Sequence, residues 1–325
     1  MRTSFILLVT LGASLGCGDD DATTDATVEM AMEASVDERV AEDAATGEDA
    51  AGEAGLEDEG VADAEVDAPT GPPVPVLPEI MGDCPDYAEG TITVMGLDVE
   101  VRRGAPSDVP GPLVITWHGT GGTGNQSIRQ LTNPVEAAIL AEGGMILAPN
   151  DDGEERVGRS PNGVWYESSD LQVADQLVAC AVRDANIDPA RIYVTGCSAG
   201  GLMAGAMTGL RSEYVAASYL DSGGLLFPAP FETAYTPSIL TMHGGPDDIV
   251  IVSFQTLSLR IARQVAAAGG SAIDCNHLSG HCGAPSDLRM AGWDFVRVHR
   301  YGEPSPFPDG PDESFPEYCA VPDPE

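Results

Sequence analysis

Between positions 91 and 103 the chain alternates apolar and polar residues about Gly96, TITVMGLDVEVRR, a period of two that predicts a β-hairpin. Farther on the pattern changes. PLVITWHG, MILAPN, RIYVTG, VAASYL and SILTMHG are short runs, several nearly continuously apolar, each followed by a Gly, Asn or Asp turn. Runs of that kind fit strands buried on both faces. Between them, positions 133–141, 170–184, 199–211, 253–268 and 286–299 carry apolar residues at helical spacing. Strand and helix alternate, which predicts an α/β fold: a mostly parallel central sheet with helices on both faces and no internal repeat.

Upstream of this pattern the chain is of another kind. Positions 18–83 hold 21 acidic residues and one basic residue, Arg39, among Ala, Thr and Gly, with almost no large apolar side chains. Such a stretch buries too little apolar surface to offset its ordering entropy, so 18–83 is expected to be a disordered acidic tether with a proline-rich exit at 69–78. As a coil, its 66 residues would reach about 45 Å. The folded domain is then 84–325, a common size for one core. Before the tether, 1–17 has a positive charge at Arg2, an apolar run too short to span a bilayer, and the small-residue stretch LGASLGC. It reads as a secretion signal. Cys17 resembles the lipidated cysteine of bacterial lipoproteins, although Ser14 stands where leucine is usual, so a surface lipoprotein or a secreted protein is expected.

Charge and cysteines narrow the chemistry. From Cys84 onward 31 acidic residues face 13 arginines, and the chain has no lysine. That field repels nucleic acid and anionic lipid, leaving a lipid anchor as the expected membrane link. Six cysteines remain after Cys17, at 84, 180, 197, 275, 282 and 319, an even number in a chain bound for an oxidising compartment. They permit 15 pairings, among which Cys84 with Cys319 would tie the ends of the domain. Cys275, His277, His281 and Cys282 also crowd together, but their spacing is not that of a zinc knuckle, and no metal is expected.

The sharpest motif is GCSAG at 196–200, a GxSxG between a predicted strand and a predicted helix. There a serine sits on a strained turn that needs small neighbours, so Ser198 is the candidate nucleophile. A serine hydroxyl requires a base, and the base an acid that fixes its tautomer, in the chain order Ser, acid, His. MHGGPDDIV offers Asp247 and Asp248 after a late strand, and His277, His281 and His299 follow. His299 closes a helix, where a cation suits the dipole and the surface. His281 lies in the turn SGHCGAP ahead of the last helix, as a loop-borne base should, with His277 its rival. The oxyanion of acyl transfer needs donors in place beforehand. The backbone N–H of Ala199 and that of Thr120, in the loop WHGTGGTG, are the candidates. Trp165 and Tyr166 are candidate contacts for a substrate ring, Trp117 reads as core, and Asp170 as a helix N-cap.

Taken together, PLVITWHGTGG, IDPARIYVTGCSAGG, TMHGGPDDIV and SGHCGAP resemble the polyhydroxybutyrate depolymerase and feruloyl or acetylxylan esterase group of the α/β-hydrolases, over roughly 113–299. The resemblance implies an α/β-hydrolase fold and a cofactor-free serine esterase, expected to be monomeric, acting on a feruloyl or acetyl polysaccharide ester or a hydroxyalkanoate polyester. In that group the acid follows the histidine of HGxxD by four residues, which selects Asp247, and the base is the histidine of a GH pair, which selects His281. Where the group continues GHxWPG this chain reads GHCGAP, and a Cys275–Cys282 bridge would pin the base loop. A serine peptidase on the same fold and a non-catalytic polymer-binding surface protein are the alternatives.

Overall fold

The computed structural model describes residues 71–150, 168–226, 231 and 235–323. Cys17, most of the acidic tether, Trp165 and Tyr166 lie outside them. The hairpin forms about Gly96 from β1 (Gly90–Val94) and β2 (Leu97–Arg103). The apolar runs become β3 (Gly111–Trp117), β4 (Met145–Pro149), β5 (Ile187–Cys197), β6 (Ala217–Asp221) and β7 (Ser238–His243). β8 (Ile249–Val250) and β9 (Val252–Ser253) form a separate two-stranded ribbon, and with β10 (Ala272–Asn276) and β11 (Cys319–Ala320) the others make a nine-stranded sheet in the order β1-β2-β4-β3-β5-β6-β7-β10-β11. The six strands from β4 to β10 in that order are mutually parallel; at the edges β2 and β11 run against them, and β1 pairs antiparallel with β2.

Continuous apolar strands follow from covering both faces. Leu113, Ile115 and Trp117 of β3 point into a core with α3 (Ser168–Asp184), α4 (Ala199–Leu210) and α5 (Phe254–Ala267). Val114, between them, points into a second core with α1 (Gly124–Leu131), α2 (Asn133–Ala141) and α6 (Ser286–Arg297). A period of two across the sheet thus meets a helix layer on each side. Trp117 is fully buried, as a core residue should be. Asp170 lies inside the first turn of α3 rather than capping it.

The domain starts earlier than Cys84. Val76 N–H donates to Glu213 O at 2.8 Å, Met81 N–H to Gln176 Oε1 at 2.7 Å, and Leu77 packs against the first core. A proline-rich extended segment has no period to betray such docking. The cysteine pairings also differ from both expectations. Cys84 bonds Cys180 on α3, Cys275 bonds Cys319 across the β10–β11 pair, and Cys197 bonds Cys282. Neither Cys84–Cys319 nor Cys275–Cys282 forms, because β11 returns Cys319 opposite Cys275.

His299 is not the surface cation expected of a helix end. It is buried against Phe295 and Phe307, its Nδ1–H donates to Phe295 O at 2.7 Å, and its Nε2 accepts from Ser305 Oγ at 2.8 Å. Burial pushes its pKa down to about 4. The unfolded chain takes up that proton near pH 6.5, so this contribution to stability is full above 6.5 and is lost as pH falls toward 4. Urea unfolding at pH 7 and pH 4.5 should therefore differ by about 2 to 3 kcal/mol more in the wild type than in His299→Gln. Equal pH dependence in both would count against it.

Candidate active site

The parallel strands deliver their C-terminal ends, Trp117, Cys197, Asp221 and His243, to one edge of the sheet, where α/β folds place their sites. Ser198 occupies the turn from β5 into α4 with φ 59° and ψ −125°. A non-glycine residue there is strained by on the order of 1–3 kcal/mol. Surrounding glycines make the turn possible. A Cβ on Gly200 would collide with the Trp117 carbonyl, and one on Gly196 with the Gly200 backbone. One on Gly119 would lie 3.3 Å from Ser198 Cβ, so the WHGTGG loop lies directly against the serine. Ser198 N–H is tied down by Ser222 O at 3.1 Å.

His281, in the loop between β10 and α6, holds Asp248 and not Asp247: its Nδ1 is 2.7 Å from Asp248 Oδ1. The turn after β7 sets Asp248, and not the expected Asp247, against His281. Gly245 adopts φ 84° and donates its N–H to His243 Nδ1, and Gly245–Asp247 form a 3-10 turn. That turn consumes one more residue than the spacing rule allows for, leaving Asp247 exposed and Asp248 fully buried. Asp248 Oδ2 accepts from Ser222 Oγ at 2.7 Å and from Gly244 N–H at 3.0 Å. Burial pushes this carboxyl up, but the hydrogen bonds from His281, Gly244 and Ser222 outweigh it and leave its pKa below the usual value. An ionised Asp248 can only accept, so His281 Nδ1 carries the proton and Nε2 keeps its lone pair.

The other histidines have different partners. His277 accepts from Ser279 N–H at Nδ1, and its Nε2 lies 3.6 Å from Asp221 Oδ1, a buried pairing away from Asp248. His243 bonds Asp274 at 3.1 Å and stabilises the turn that carries Asp248. His118 is buried, with Nδ1 2.8 Å from Gly119 O.

What the spacing did not disclose is the link between the loops that carry Ser198 and His281. Cys197 and Cys282, joined with Cα atoms 5.7 Å apart, are the residue before Ser198 and the residue after His281. Their sulfur atoms and a ring nitrogen of His281 lie within 4.8 Å of one another. Oxidised to a disulfide, this group offers no thiolate to a metal. Phe254 packs against the imidazole, ring centroids 4.6 Å apart. Next to the serine, His118, Gly119, Thr120, Gly122, Gln126, Arg129 and Gln130 line an open cleft of about 490 Å³. Ala199, the first residue of α4, leaves its N–H beside the serine at a helix N-terminus, and Thr120 lies on the cleft wall.

Native pOPH has this architecture, with 16% identity, a TM-score of 0.58, and coverage of 74% of this chain and 97% of that one. The chain has the α/β-hydrolase fold. Native sOPH superposes with 17% identity and a TM-score of 0.55 over 75% of this chain and 96% of that one. An acetyl xylan esterase from Aspergillus awamori matches 63% of this chain and 98% of its own, at 13% identity and a TM-score of 0.47. No family model and no curated protein matches the chain.

Proposed function

We propose that this α/β-hydrolase is an exported serine hydrolase of carboxylic esters, with Ser198 as nucleophile, His281 as base and Asp248 as the acid. The observation that carries the reading is the buried Asp248 carboxylate on His281 Nδ1, on a loop bridged to the strained turn that bears Ser198. Ser198 Oγ attacks the ester carbonyl while His281 Nε2 takes its proton, and Asp248 stabilises the imidazolium. The N–H groups of Ala199 and Thr120 hold the oxyanion. As the intermediate collapses, His281 returns the proton to the departing alcohol, leaving an acyl group on Ser198. Water, deprotonated by His281, then attacks the acyl group, and the imidazolium returns the proton to Ser198 Oγ as the carboxylic acid leaves. None of these steps calls for a cofactor.

Three disulfides among the described residues favour an oxidising compartment, consistent with a signal at 1–17 and lipid attachment at Cys17. No described helix is long and apolar enough to cross a membrane. A monomer held by the acidic tether and acting on an uncharged ester, feruloyl or acetyl polysaccharide or a hydroxyalkanoate polyester, fits the negative charge. pOPH, of the same fold, has been solved as a complex with pNPB.

The test is turnover by the full chain of p-nitrophenyl butyrate, methyl ferulate, acetylated xylan and hydroxybutyrate polymer, with Ser198→Ala as the background. Hydrolysis of at least one, lost in that variant, is expected. Cleavage of peptide substrates alone would move the reading to a peptidase, and turnover of none by the folded protein to a binding role.

A further inference from the structure

Asp221 ends β6, the strand next to the one that leads into Ser198, and Ser222 follows it; together they reach three parts of the site at once. Ser222 O accepts from Ser198 N–H. The Ser222 hydroxyl donates to Asp248 Oδ2 at 2.7 Å and accepts from Cys282 N–H at 2.8 Å. Asp221 Oδ2 holds Arg289 Nη2 at 2.5 Å, and the same nitrogen donates to Cys282 O at 2.8 Å. Both backbone polar groups of the residue after the base are therefore held from the end of β6.

The backbone at Ser222 shows that its side chain matters. Its φ is 45°, a conformation that glycine adopts without strain, and Gly223 and Gly224 follow it directly. A glycine would suit the turn better, yet the position carries a fully buried hydroxyl with its donor and an acceptor site both used.

We propose that Ser222 is the positioning residue of this site, its hydroxyl fixing the acid and the base loop in one geometry, with Asp221 and Arg289 as its brace. The inference rests on the Ser198, His281 and Asp248 reading. Loss of the hydroxyl leaves Asp248 Oδ2 with one donor and the Cys282 N–H without that acceptor, and the imidazole is then free to rotate away from the serine.

The experiment compares Ser222→Ala and Ser222→Gly with the full wild-type chain, measuring kcat, KM and Tm on p-nitrophenyl butyrate with Ser198→Ala alongside. Both variants should lose about 10- to 100-fold in kcat with KM within about twofold, the size expected for stranding buried polar groups. Ser222→Gly, which relieves the backbone, should keep the higher Tm and still lose as much kcat as the alanine variant. If kcat followed Tm across the two, or stayed at the wild-type value while Ser198→Ala was inactive, the positioning role would be overturned and the parent reading would stand. If Ser198→Ala stayed active, the parent reading and this inference would fall together.

Discussion

Asp248→Asn is expected to lower kcat about 10⁴-fold, while Asp247→Asn leaves it within about twofold. The size follows from which way the new amide must turn. Ser222 Oγ–H and Gly244 N–H both point at the Oδ2 position, so the amide oxygen settles there. The amide NH₂ then faces His281 Nδ1, which can meet a donor only by giving up its proton. That moves the ring proton to Nε2, the nitrogen that has to receive it from Ser198, and the base is lost without any change of shape. Asp247, exposed on the 3-10 turn, touches none of these groups. Initial rates on p-nitrophenyl butyrate, with circular dichroism to confirm folding, decide it. A large loss at Asp247 with little at Asp248 would return the acid to the position that spacing alone selects.

Removal of the Cys197–Cys282 bridge, by alanine at both positions, should cost about 10²-fold in kcat/KM. The other two bridges should cost stability and leave kcat nearly intact. The three differ little as cross-links: they span 96, 85 and 44 residues, for which loop-closure entropy gives about 4 to 5 kcal/mol each. Any difference in activity therefore reports position. Only Cys197–Cys282 joins the neighbours of Ser198 and His281, and a shift of about 1 Å between two reacting groups is enough for a loss of that size. Equal losses of kcat across the three paired variants, each compared below its own Tm, would show that the bridge acts through general stability.

The sheet was legible because its strands are buried on both faces, and continuous apolar runs bounded by turn residues are what such burial requires. Elements without that signature were not. Helix α1, GNQSIRQL, buries only Ile128 and Leu131 among its large apolar side chains, and β10, AIDCN, carries an aspartate and a cysteine within five residues. GCSAG marked the strained turn at Ser198 because such a turn demands glycines at fixed offsets. The choice between Asp247 and Asp248 depended on one positive-φ glycine and a 3-10 turn, which a spacing rule does not register. The Cys197–Cys282 pairing and the two bonds of the Ser222 hydroxyl are tertiary facts, made between positions 85, 60 and 26 residues apart.

The central assignment is tested most directly by reacting the full chain with a p-nitrophenyl phosphonate and locating the adduct. After reduction and alkylation of the disulfides, trypsin, cutting after Arg191 and Arg211, yields a peptide in which Ser198 is the only serine. One equivalent of p-nitrophenol released, with the phosphonyl group on that peptide and none on the Ser198→Ala chain, is the expected result. A folded chain that takes up no phosphonate, or takes it up equally after Ser198→Ala, would contradict a nucleophile at Ser198.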